Sequence, residues 1–329
     1  ISECLVGSEM CIRDRVKKVN NNKNLKSFVK GIMYIAPAFV LLLIFNIYPI
    51  IKSFDMSFYT RYNYYKDIVY ARGLDNFYYI FSDKEFLTAM KNTFIYVLYV
   101  MPISIILSLI IAILLNSNIK FRGFFRTVYF IPFITSTVAI SMVWRWMYHA
   151  DHGIINYLLQ AIGLSPVKWL SDPKWAMPSL IILSVWKSLG YNIVIFLAGL
   201  QNIDEQYNLA AKLDGANKWE RIKNITVPLL SPTIFFVCIM TLISSFKIFG
   251  EIFALFDKQP GPLNSCLTMV YYIYNKFYNQ YQYGIASAAV FVLFIIISLF
   301  NFIQFYIGKK KVESVSYTHL RAHETLANL

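Results

Sequence analysis

The feature that most constrains this chain is the recurrence of six stretches of about 18 to 25 mostly apolar residues, at 31–51, 93–115, 127–148, 175–200, 227–248 and 285–307. Each is close to the roughly 20 residues that cross a 30 Å hydrocarbon layer at about 1.5 Å per residue. The first, second and sixth contain no charged residue. Only 15% of the 329 residues are charged and 57% are hydrophobic, whereas a soluble domain carries about 25% charge, so a water-facing surface for the whole chain is excluded. Prolines 37, 49, 102, 132, 178 and 232 fall inside the stretches, which membrane helices tolerate because freed carbonyls find other partners. No run of roughly 10-residue alternating segments supports a membrane barrel. The expectation is an all-α polytopic membrane protein with six transmembrane helices.

Lys and Arg density sets the direction of the spans. Segments 16–30, 116–126, 201–226 and 308–315 carry 15 basic residues in 60 positions, against 10 in 103 for segments 52–92, 149–174 and 249–284. Both termini and the 201–226 loop are therefore expected on the cytoplasmic side. The formal net charge of +13 is accounted for by these loops, and no basic stripe with interleaved aromatics points to nucleic acid. Residues 1–15 and 316–329 differ in composition from the rest and resemble translated adapter sequence. They are read as artefactual tails, leaving a basic segment at 16–30, one membrane domain at 31–307 and a short basic end at 308–315.

The loop at 203–228 has a helical logic of its own. Asp204 fits an N-cap, and Glu205 and Gln206 place acidic or polar groups in the first turn. Tyr207, Ala210, Ala211 and Asp214 share one helical face with a small-residue centre. Gly215 supplies a left-handed turn, and Trp219, Ile222 and Ile225 repeat an apolar spacing before Pro228, where the fifth span begins. Small residues at 210, 211 and 215 allow close approach of another protein's backbone; an amphipathic loop resting on headgroups is the alternative reading.

The run Ala210-Ala211-x-x-x-Gly215, nine further residues and then Ile225-x-Val227-Pro228 resembles the EAA signature of permease subunits of ATP-binding-cassette importers. The wider strings from Leu209 to Ala216 and from Val227 to Pro232 are similar to the carbohydrate branch of the maltose and glycerol-phosphate type, as are Trp144-Arg-Trp146, Trp186-Lys-Ser-Leu-Gly190 and Tyr271-Tyr-Ile-Tyr274. The likeness covers roughly residues 28 to 308. It departs at Leu209, where the family usually has the glutamate, and at Asp204, where it usually has proline. The resemblance implies a type I importer permease fold, a prokaryotic cytoplasmic-membrane location and a sugar or sugar derivative as cargo. It implies a second related permease, an ABC ATPase dimer and an extracellular or periplasmic sugar-binding protein as partners. ATP and Mg would sit on the ATPase; this chain has no GxxxxGK[ST] loop and no cofactor of its own. The implied coupling residues are Ala210, Ala211, Asp214, Gly215, Ile225 and Pro228.

A charge inside the membrane is costly unless paired or hydrated, which singles out Lys187 in the fourth span. Trp186, Tyr191 and Asn192 beside it combine ring faces with polar groups, a substrate-path reading set against snorkelling and interfacial belts. Lys247 and Glu251, four apart at the end of the fifth span, read as an i,i+4 ion pair at the membrane boundary, with gating as the functional alternative. Arg145 is placed to reach headgroups, and His149, Asp151 and His152 read as a solvated external loop in preference to a metal site. Neither Cys4, Cys11, Cys238 nor Cys266 forms a CxxC pair, and no nucleophile–base pair or carboxylate dyad marks an enzyme. An ion-coupled secondary transporter and an ABC permease for a non-sugar solute are the competing readings.

Overall fold

The computed structural model describes residues 21–64, 66–117 and 120–311. Both tails, with Cys4, Cys11, His319 and His323, lie outside the described residues. The first unit, through Met56, is helical: α1 (Asn21–Leu42), a π-helical stretch Leu43–Ile47, and α2 (Tyr48–Ser57).

The second unit, from Ser57, opens with the one departure from an all-helical chain among the described residues, a hairpin of β1 (Tyr59–Asn63) and β2 (Ile68–Arg72). There follow α3 (Asp75–Ser82), α4 (Lys84–Asn116), α5 (Arg122–Ile134), α6 (Thr137–Met147), α7 (Ile154–Ala161) and α8 (Pro173–Gln201). Helices α9 (Glu205–Leu213), α10 (Lys218–Arg221) and α11 (Val227–Leu229) form the loop region. The chain closes with α12 (Ser231–Phe246), α13 (Gly250–Leu255), α14 (Met269–Tyr274) and α15 (Tyr283–Lys311).

Among the described residues four helices are long and apolar enough to cross a membrane: Phe28–Ser57, Lys84–Asn116, Pro173–Gln201 and Tyr283–Lys309. Two further pairs qualify only as bent units, α5 with α6 at 101° and Lys218–Leu229 with α12 at 67°, which brings the number to six if each pair is one span. The expected spans at 127–148 and 227–248 are thus bent pairs of helices and not single continuous ones. In the first, Thr135 and Ser136 take ψ of 147° and 129°, extended values that no helix accommodates. In the second, Pro232 cannot donate to the preceding turn, and the chain turns at Leu230, with ψ of −5°.

The main packing unit is α4 against α8. Asp83 and Asp172 cap their N-termini, each carboxylate accepting a backbone N–H at 2.9 Å, from Glu85 and Lys174. The buried side of α4 is rich in small and hydroxylated residues, Thr93, Ser104, Ser108 and Ala112. In lipid, where apolar burial alone drives little association, small side chains let helix backbones approach. Thr93 and Ser108 donate to the carbonyls of Ala89 and Ser104 at 2.8 and 2.6 Å, so neither hydroxyl is left unpaired. Gly190 of α8 sits against α5, and a Cβ there would collide with the Tyr129 carbonyl.

Two apolar clusters fill the unit. One joins the N-terminal halves of α4 and α8 to α12, α13 and α14 through residues such as Phe86, Leu183, Phe246 and Tyr272. The other joins their C-terminal halves to α12 through Ala112, Ile193, Phe196 and Leu230. Lys187 falls between the two.

Candidate translocation cavity and coupling loop

Lys187 and Tyr191 are four apart on α8 and share a face, and with Asn192 they line a cavity of about 480 Å³. Tyr96 and Val100 of α4, Phe133 of α5, and Thr241 and Ser244 of α12 complete much of its wall. Lys247 and Glu251 also line it, so the structure brings together five of the six residues named for the substrate path and the gating pair. Trp186 is not among them. It packs edge-on against Trp144, ring centroids 5.4 Å apart.

Glu251 does not pair with Lys247. The Lys187 ammonium donates to Glu251 Oε1 at 2.7 Å and to Thr137 Oγ1 at 2.5 Å, with the two charged side chains only 17% and 16% exposed. The i,i+4 geometry needs a continuous helix, but α12 ends at Phe246 and Phe249 has φ −151°, which re-aims the chain before α13 begins at Gly250. Thr137 is the first residue of α6 and Glu251 lies in the first turn of α13. The Lys187 side chain therefore ties the fourth span to the break in the third, at Thr137, and to the turn just beyond the end of the fifth, at Glu251.

Tyr191 stacks obliquely on Phe133 at 5.1 Å. Asn192 is 2% exposed; its Oδ1 accepts from Thr241 Oγ1 at 3.5 Å, and its Nδ2 is buried with no partner among the described residues. A buried amide donor left open in a cavity is a ready site for a water or a solute hydroxyl. The cavity thus offers ring faces, hydroxyls, an amide and one compensated charge pair. Hydroxyls are unremarkable in membrane helices, so Thr137, Thr241 and Ser244 do not stand out in the sequence; the available signal is the i,i+3 spacing that puts Thr241 and Ser244 on one face of the fifth span.

Near the end of α6 Arg145 pairs with Asp257 at 3.2 Å, and the hydrogen bond and charge of Arg145 hold the Asp257 carboxyl below the usual carboxylate range. His149 Nδ1 accepts the backbone N–H groups of Asp151 and His152 at 3.3 Å, which turns that ring onto its own loop. Lys276, Asp83 and Tyr272 form a separate buried group. The Asp83 Oδ2 accepts from Tyr272 Oη at 2.7 Å and lies 3.3 Å from Lys276 Nζ.

The loop follows the local chemistry read from its residues. The Asp204 carboxylate accepts the Gln206 N–H at 2.9 Å and opens α9. Gly215 takes φ +78°, while the Ala216 N–H reaches the Ala211 carbonyl at 2.9 Å and the Gly215 N–H reaches Lys212 at 3.2 Å. That pair of bonds is a Schellman stop. Asn217 and Glu220 then form a reciprocal capping box, 2.8 and 2.9 Å, the start signal of the second helix. Ala211 is buried, whereas Ala210, Asp214 and Gly215 are exposed and Ile225 and Pro228 half-buried. Leu213, Trp219 and Leu209 are 90%, 71% and 49% exposed. The second helix is no separate unit, because α10, a π-helical stretch at Ile222–Thr226 and α11 run directly to α12.

The chain is similar to the lactose transport system permease protein LacF of Rhizobium radiobacter, at 36% identity over 86% of this chain and 95% of that protein. It is 34% identical to the arabinooligosaccharides transport system permease protein AraP of Bacillus subtilis, over 80% of this chain and 84% of that one. A chain of a bacterial ABC transporter involved in the import of the acidic polysaccharide alginate superposes with a TM-score of 0.76 at 25% identity, covering 88% of this chain and 99% of its own. A second structure of the alginate transporter, in complex with an alginate pentasaccharide-bound periplasmic protein, gives the same TM-score at 25% identity, covering 89% of this chain and 98% of its own. Residues 85–312 match the family of binding-protein-dependent transport system inner membrane components, a span that takes in the cavity and the loop, and the chain belongs to that family.

Proposed function

We propose that this chain is the membrane-spanning subunit of an ATP-driven importer for a sugar or sugar derivative. It would work beside a second, related permease, with an ABC ATPase dimer below and a sugar-binding protein above. The observation that carries the reading is mechanical continuity. The exposed loop with Leu213 and Trp219 on its surface runs without a separate linker from Lys218 through Leu229 into α12, and α12 ends at the cavity beside Lys247 and Glu251. Large apolar side chains held in water on a rigid double cap fit a covered interface. The basic-residue bias puts this loop and both termini in the cytoplasm, on the ATPase side. Closure of the ATPase dimer would push α9 to α11 and swing α12, changing which end of the cavity is open. ATP and Mg belong to the partner, and this chain contributes no catalytic group.

Relatives that carry lactose and arabinooligosaccharides, and a structural neighbour that imports alginate, support a saccharide over a non-sugar solute. So do the ring face of Tyr191 and the open amide of Asn192, since small-molecule sites pair apolar walls with a few convergent polar groups. The test is co-expression of the tagged chain with its neighbouring genes and purification in detergent. Wild type should retain a Walker-type ATPase and Gly215→Val should lose it. Absence of any ATPase from the wild-type preparation would contradict the coupling role.

A further inference from the structure

Away from the cavity in the spans, the hairpin β1–β2 and the start of α15 enclose a groove of about 760 Å³ lined by six tyrosines. The groove lies at the end of the bundle opposite the coupling loop. The C-termini of α4 and α8 meet that loop around Asn116, Gln201 and Asp204, and the hairpin precedes the N-terminus of α4.

We propose that this groove is a second saccharide-binding site at the outer mouth of the transporter, one that holds a sugar ring between tyrosine faces before it reaches the cavity. The proposal rests on the importer reading above, whose saccharide cargo it takes over.

The floor of the groove is fixed. Asn76 Nδ2 donates to the carbonyls of Ser57 and Tyr59, both at 2.9 Å, and a Cβ on Gly284 would collide with the Tyr59 carbonyl, so the hairpin rests directly on the start of the last span. Tyr283 is 8% exposed. Tyr64 stacks on it at 4.8 Å and 27°, and Tyr62 meets it edge-on at 6.2 Å. The rim is open: Tyr281, Tyr70 and Tyr64 are 68%, 62% and 59% exposed.

Tyr281 also takes φ +55°, a backbone state costly for a bulky residue. Strain of that kind persists where the surroundings impose it and is concentrated at binding sites. The Tyr62 hydroxyl donates to Asp67 at 2.8 Å, which orients that ring as a neutral donor.

The lining chemistry selects the ligand class. Aromatic faces carry negative potential and suit the C–H face of a pyranose or furanose. Arg61, Asn63 and Gln282 supply hydrogen-bond groups around them, and among the described residues no carboxylate lines the groove, which disfavours a cation. An interfacial belt spreads tyrosines along the lipid boundary; here they converge on one concavity of a size typical of small-molecule sites.

The test is saturation-transfer NMR on the full chain in lipid nanodiscs, with lactose, maltose, trehalose and arabinotriose as probes and no binding protein present. At least one should show saturation transfer, and its dissociation constant should rise about tenfold, the loss of roughly one ring contact, in Tyr281→Ala and in Tyr64→Ala. Tyr281→Phe and Tyr64→Phe, which keep the ring, should hold it within about threefold. Tyr157→Ala, at an exposed tyrosine of α7 that lines neither the groove nor the cavity, should leave this binding unchanged. The proposal is overturned if no probe shows transfer to a chain that remains monodisperse. It is overturned equally if the signal ignores both alanine variants, or if those variants weaken only capture of the binding protein. ATP-driven uptake by the assembled complex, measured in parallel, separates the two ideas: uptake without groove binding removes the groove alone, whereas no uptake and no associated ATPase removes the importer reading.

Discussion

Replacing Lys187 by Met leaves the Glu251 carboxylate beside Thr137 with no counter-charge, in a site where each partner is less than one-fifth exposed. Removing one member of a buried pair costs about 3 kcal/mol or more, because the remaining charge stays desolvated. Glu251→Gln should cost a similar amount by stranding the ammonium, although Thr137 retains one of its two contacts. The double variant Lys187→Met/Glu251→Gln strands neither charge, so its cost should fall well below the sum of the singles, with a coupling of about 2 kcal/mol or more.

Lys247→Met supplies the decisive comparison. In the i,i+4 arrangement it would be as harmful as Lys187→Met, whereas in this structure it removes an exposed side chain and should cost less than about 0.5 kcal/mol. Reversible unfolding of the purified chain by SDS titration in mixed micelles reads all four variants. Equal losses for Lys187→Met and Lys247→Met, or additivity of the Lys187 and Glu251 changes, would refute the pairing and the argument from the broken helix.

Burial alone would raise the Asp83 carboxyl, but the hydrogen bond from Tyr272, the Glu85 backbone N–H and Lys276 outweigh it and hold it below its ordinary value. A carboxyl lowered in the folded state stabilises fully above its unfolded value of about 3.9 and loses that contribution as pH falls through the lower folded value. Melting curves between pH 7 and pH 3 should therefore fall steeply below about pH 4 and flatten in Asp83→Asn, which keeps the N-cap; an unchanged pH profile in that variant would contradict the assignment. Gly215→Val forces a β-branched residue to φ +78° and should cost about 1 to 2 kcal/mol locally, read as faster proteolysis of the 203–228 loop with the spans intact. Gly190→Val drives a side chain into the Tyr129 carbonyl and should lower stability by about 1 to 3 kcal/mol in the same SDS titration; an unaffected midpoint would mean α5 does not pack there.

Much of this architecture was legible because lipid imposes a coarse rule. A chain that must satisfy its own backbone in hydrocarbon can cross only as a helix or a closed barrel, and the run lengths settled which. The capping of α9 by Asp204 and its stop at Gly215 were equally readable, since both depend on neighbours in sequence. What stayed hidden depends on contacts between distant segments. The break at Thr135–Ser136 carries no glycine, so hydropathy passes through it, and the turn after Phe246 falls at the end of an apolar run, where hydropathy does not say whether the helix continues to Glu251. With the helices taken as straight, Glu251 falls to Lys247; once α12 ends at Phe246, it belongs to Lys187, 64 positions away in sequence. The tyrosine groove was diluted by a chain in which 17% of residues are aromatic, and only the hairpin against α15 shows which rings converge.

The central claim is that this chain carries a sugar inward at the expense of ATP hydrolysed by a partner. The most direct test is uptake of radiolabelled lactose, maltose, trehalose and arabinotriose into proteoliposomes that contain the complex co-purified on the tagged chain, with binding protein outside and ATP and Mg inside. The account predicts accumulation of at least one sugar that requires internal ATP and is abolished by Gly215→Val in the coupling loop. Accumulation that proceeds without ATP and follows an imposed proton or sodium gradient would contradict it.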